Sequence, residues 1–211
     1  MKKIITRTSW WIFGSLCILV GLYPLIYFLI DRHFGLLSSK TQEVLNDQIW
    51  NTAFYGHIVL GGAALLIGWT QFSSRLRRRR IRLHRTIGKT YIIAAVISGI
   101  CGIYIAQFAT GGITNKIGFS LSGLVWLATT LVAYNAIRKG NIKAHQNYML
   151  YSYAVCFSAV TLRIWLPILI AITGEFNLAY LIVGWLSWVP NLAVAYLIIS
   201  RHDSRTATSR I

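Results

Sequence analysis

Six stretches of this chain are apolar almost without interruption, and short polar links separate them. They cover residues 10–30, 49–72, 90–109, 117–137, 148–172 and 178–200. A hydrocarbon core of about 30 Å takes about 20 residues of helix to cross, so each stretch is long enough. None shows the polar–apolar alternation of a membrane-barrel strand, and a helix satisfies its backbone groups internally, as lipid requires. The pattern predicts an all-α integral membrane bundle of six transmembrane helices, forming a single membrane domain over residues 1–211. Four central spans, residues 49–172, make its core. The first helix (10–30) and the last (178–200) are peripheral, and residues 201–211 are a polar tail.

Composition agrees. Of 211 residues, 55% are hydrophobic and 12% charged, where a soluble domain carries about a quarter charged. The formal net charge of +16 does not point to nucleic acid, because the cations sit in short links and not on an amphipathic face. They suit an anionic membrane surface. Cys17, Cys101 and Cys156 each lie in a different apolar run, as small apolar side chains do. The N-terminal run continues to residue 30 with no cleavage pattern behind it, which reads as an uncleaved anchor.

The cations also orient the chain. Lys2, Lys3 and Arg7 precede the first span. Arg75, Arg77, Arg78, Arg79, Arg80, Arg82, Arg85 and Lys89 fill the second link, Arg138, Lys139 and Lys143 the fourth, and Arg201, Arg205 and Arg210 the tail. Those segments hold 17 Lys and Arg, against Arg32, Lys40 and Lys116 on the other side. Positive loops stay inside, so both termini are expected in the cytoplasm, as in a bacterial inner-membrane protein. The block Arg75–Lys89 is expected to meet anionic lipid headgroups. The first outer link, about residues 31–48, is long enough for a short surface helix.

Polar residues inside the spans supply the candidate chemistry. In the second span Ala53, His57, Gly61, Ala64, Gly68 and Gln71 fall at helical spacing, a small-residue face of the kind that lets helices approach. In the third, Gly88, Ala95, Gly99, Gly102 and Ala106 repeat this, headed by His84 if that helix starts early. His145, Met149, Ser152, Cys156, Ala159 and Arg163 mark one face of the fifth span, about 27 Å from end to end. His57 and Arg163 both lie about 12–14 Å from the outer ends of their spans, and are expected to face one polar cavity. An arginine at such depth costs at least about 2.5–3.5 kcal/mol, and no carboxylate lies within a span to pair it. Pro24, Pro167 and Pro190 lie within spans and interrupt backbone hydrogen bonding there. A faint repeat links the two central hairpins, Arg82-Leu-His84 and Lys143-Ala-His145, each just before a span.

The set formed by His57, Gly61, Gln71, His84-Arg85-x-x-Gly88-x-x-Tyr91, Trp126, His145, Met149 and Leu162-Arg163 resembles a bacterial family, domain of unknown function 2306, over roughly residues 54–170. Gln146 departs from it, standing where a basic residue is expected. The resemblance implies a multi-pass membrane protein and brings no established activity. There is a looser similarity to membrane cytochromes b, whose four-helix cores hold heme between histidines. It implies at most one bis-histidine heme b here, with His84 and His145 as iron ligands, Arg85 near a propionate, and His57, Gln71 and Arg163 available to a quinone or second anionic group. Two readings stand beside this redox one: a carrier for a small anion or proton, and a non-catalytic component that assists assembly or senses lipid.

Overall fold

The structure is a computed structural model that describes residues 7–29 and 35–208. Lys2, Lys3, Arg32 and Arg210, used above to orient the chain, lie outside the described residues. Among the described residues every regular element is a helix. Six of them are long and apolar enough to cross a membrane: Thr8–Leu29, Gln48–Phe72, Ile81–Ala106, Gly112–Arg138, Ile142–Thr173 and Phe176–Ser204. These are the six expected spans, with later ones extended at their polar ends because the helix continues past the hydrocarbon into the links. The chain divides into two compact units, residues 1–105 and 106–211.

In the first unit α1 (Arg7–Leu22) leads through a 3₁₀ turn at Tyr23–Leu25, opened by Pro24, into α2 (Ile26–Leu29). The link after the first span contains a 3₁₀ turn at Gly35–Ser39 and the short α3 (Gln42–Asn46), as its length suggested. Asp47 then starts α4 (Gln48–Gly68), its carboxylate accepting from the N–H groups of Ile49 and Trp50, which satisfies two of the free donors at a helix start. Helices α1 and α4 pack together at reciprocal glycines. A Cβ on Gly62 would lie 2.6 Å from the carbonyl oxygen of Gly21, so only glycine permits this backbone approach. After a 3₁₀ turn at Trp69–Phe72 come α5 (Ser74–Arg79) and α6 (Ile81–Ala106). The buried face of α6 carries Tyr91, Ala94, Ala95 and Ser98.

The second unit opens with α7 (Gly112–Arg138), entered through Gly111 at φ 93°, a left-handed conformation that suits glycine. It forms a hairpin with α8 (Ile142–Cys156). Helix α9 (Ser158–Thr173) continues α8 after a turn at Phe157, and α10 (Phe176–Leu186) and α11 (Val189–Thr208) follow. The fifth and sixth spans are therefore both broken. The expected face from His145 to Arg163 does not run along one uninterrupted helix, because the turn at Phe157 lies between them. Pro190 lies within the sixth span, in the first turn of α11; a missing N–H is tolerated there, where no intrahelical acceptor is due. Pro167 does lie inside α9.

Candidate functional site

His84 and His145 occupy equivalent places in their helices. Helix α6 begins at Ile81 and α8 at Ile142, so His84 and His145 are each the fourth residue of their helix. Their backbone N–H groups bond the carbonyls of Arg80 and Asn141, both at 3.0 Å. The faint repeat thus extends to Ile-basic-x-His at the opening of two helices. Both side chains are half-buried, and Arg85 beside His84 is exposed.

His145 is held by its hairpin partner. Its Nδ1 lies 2.9 Å from the carbonyl oxygen of Ala133 in α7. A carbonyl only accepts, so Nδ1 is the donor, and in the neutral ring the lone pair is then on Nε2. His57 shows the same arrangement in the first unit. Its Nδ1 is 2.9 Å from the carbonyl oxygen of Ser98 in α6 and 3.2 Å from the Ser98 hydroxyl, which donates to the carbonyl of His57 at 2.9 Å. The approach depends on glycine. A Cβ on Gly102 would meet His57 Nδ1 at 2.8 Å, and one on Gly61 would meet Ser98 Oγ at 2.9 Å. The small-residue faces read from sequence are therefore the surfaces that let α4 and α6 clamp this imidazole.

Gln71 lies about 21 Å along the chain from His57 in helical rise. It is 8% exposed, with its Oε1 3.4 Å from where a Cβ on Gly88 would stand. Gly88 is one turn from His84, so Gln71 and His84 come to the same end of the first unit. The Gln71 Nε2 is a buried donor with no hydrogen-bond acceptor among the described residues. Its backbone carbonyl accepts from Arg77 Nη1 at 3.3 Å.

Arg163, in the second unit, is half-buried and donates from Nη1 to the carbonyl of Ala159 one turn back, at 2.8 Å. A backbone carbonyl thus serves where the sequence offers no carboxylate. Close by lies a polar group that periodicity did not single out. Asn191 in α11 reaches the carbonyls of Ala154 at 3.2 Å and Ser187 at 3.0 Å and the hydroxyl of Thr161 at 3.1 Å. Thr161 also donates to the Ser187 carbonyl. This cluster ties the turn at Phe157 to the one at Ser187. Thr130 and Ser152, both fully buried, share a hydrogen bond of 2.7 Å between α7 and α8. Ser152 stands on the face that helical spacing marked in the fifth span; for Asn191, Thr161 and Thr130 the only signal is that they are polar inside apolar runs.

No three His, Cys, Asp or Glu side chains among the described residues converge as metal ligands. Heme needs only one or two axial ligands from the protein, so this leaves that expectation where it stood. Cys17 and Cys156 are buried thiols and Cys101 is half-buried.

No curated protein and no solved structure matches this chain. The family model described as "Predicted membrane protein (DUF2306)" matches residues 54–199, reaching beyond the expected residue 170 to take in most of the last span. With well over half its length matched and its six apolar helices in place, the chain belongs to the DUF2306 family of predicted membrane proteins.

Proposed function

We propose that this protein is a small redox component of the bacterial inner membrane that holds heme b through histidine, with both chain ends in the cytoplasm. One observation carries the reading: the Nδ1 of His145 donates to the Ala133 carbonyl across the α7–α8 hairpin at 2.9 Å. Ligating histidines characteristically donate their second ring N–H to a carbonyl or carboxylate, which fixes ring orientation and raises the basicity of the other nitrogen. The Nε2 of His145 would then be the atom that holds the heme iron. His84, at the equivalent place in α6, offers a second imidazole of the same kind within the first unit, with exposed Arg85 beside it to pair a propionate. Heme, when bound, supplies a one-electron couple; the protein's part is to hold the imidazole, satisfy propionate charge and exclude water. The cytoplasmic orientation rests on the distribution of cations among the links.

The purified protein, produced with added heme precursor, is expected to show a Soret band that shifts on reduction with dithionite. His145→Ala should lose it, while Lys143→Gln in the same turn should keep it. A colourless preparation, or an unchanged spectrum in His145→Ala, overturns the reading. A reporter joined after Ile211 that works only in the periplasm overturns the orientation.

A further inference from the structure

The basic link holds a formed cleft. Ser73, Arg75, Leu76, Arg79 and Arg80 line a space of about 350 Å³. It lies on α5, between the end of the span Gln48–Phe72 and the start of the span Ile81–Ala106, which is headgroup level for any helix pair crossing a bilayer. Ser73 caps α5, its hydroxyl oxygen accepting from the Leu76 N–H at 3.3 Å. Arg77 is committed elsewhere, to the Gln71 carbonyl. Arg75, Arg79 and Arg80 are exposed, and Arg75 and Arg79, four residues apart, share a face of α5.

Three guanidinium groups around one cleft repel each other unless an anion joins them. The sequence has no Asp or Glu between Asp47 and Glu175. In the first unit the described carboxylates, Glu43 and Asp47, stand at the far end of α4, whose 21 residues span about 31 Å. Asp47 is moreover occupied in capping α4. Surface screening reaches only about 8–10 Å, so neither acid offsets the cleft. Seven of the eight cations from Arg75 to Lys89 are arginine. Topology alone asks for positive charge, which lysine supplies equally well. Arginine adds a planar fork of donors that fits phosphate oxygens two at a time. Leu76 adds an apolar wall beside the charges, suited to the start of an acyl chain.

We infer that the Ser73–Arg80 cleft is a binding site for a lipid phosphomonoester, a headgroup with two negative charges and three free oxygens. The inference stands whether or not the protein carries heme. Its test uses the full-length protein in neutral detergent, titrated with fluorescent phosphatidic acid against phosphatidylglycerol of the same chains. Phosphatidic acid should bind about tenfold tighter, the equivalent of about one extra charge-assisted hydrogen bond. The triple variant Arg75→Lys, Arg79→Lys, Arg80→Lys keeps every charge and the membrane orientation, and should lose that preference. Equal binding of the two lipids, or a triple variant with the preference intact, overturns the proposal. Displacement of phosphatidic acid by millimolar inorganic phosphate overturns the lipid as the source and assigns the cleft to a free anion.

Discussion

Replacing Asn191 by leucine tests whether the two broken spans of the second unit are held by polar contact or by packing. The asparagine amide has two N–H bonds for three acceptors: the Ala154 carbonyl, the Ser187 carbonyl and the Thr161 hydroxyl, at 3.0–3.2 Å. Two of these, Ala154 and Thr161, belong to the neighbouring span. Leucine has similar volume and none of the donors, so the change isolates the hydrogen bonds. Interhelical hydrogen bonds in membranes contribute about 0.6 kcal/mol on average and up to about 1.7. A buried carbonyl left without a donor adds about 1–3 kcal/mol. Asn191→Leu should therefore lose about 2–5 kcal/mol, and Thr161→Val somewhat less. The assay is reversible unfolding in mixed micelles with increasing sodium dodecyl sulfate. Because Asn191 and Thr161 touch, the double variant should be less destabilised than the two single losses added together, by at least about 0.5 kcal/mol. A leucine variant as stable as the parent, with additive single losses, would refute the claim that this cluster closes the breaks.

Two further outcomes follow from the first unit. Gly102→Ala puts a methyl group 2.8 Å from His57 Nδ1, and should cost about 1–3 kcal/mol. Adding His57→Ala should remove most of that penalty in the same micelle titration, and an undiminished penalty would place the clash elsewhere. Burial lowers the pKa of Lys40, in the link after the first span, from its usual 10.5. The folded state then binds fewer protons than the unfolded state between the lowered value and 10.5, so stability should rise with pH across that window. Lys40→Met should flatten this rise, measured as thermal midpoint between pH 8 and 10.5; parallel profiles for the two proteins would show that Lys40 is not its source.

The sequence by itself determined the parts that depend on local chemistry. Transfer of apolar side chains out of water is additive along the chain, so hydropathy alone located six spans to within a few residues at most ends. Helical spacing marked the small-residue faces of α4 and α6, because which side chains share a face follows from 3.6 residues per turn. It also singled out His57, His84, Gln71, His145 and Arg163 as polar residues in costly places. Tertiary structure decided which backbone atoms those residues meet. The carbonyl facing His57 is 41 residues away and the one facing His145 twelve, and no propensity encodes such a partner. The start of α6 at Ile81 escaped hydropathy because its first turns are basic, though helical in backbone. The turn at Phe157 has no glycine or proline to announce it. Asn191, on another span, supplies a donor to the Ala154 carbonyl at that turn. Where a local departure from helix is compensated by a distant side chain, its cause lies in the packing and not in the residues that depart.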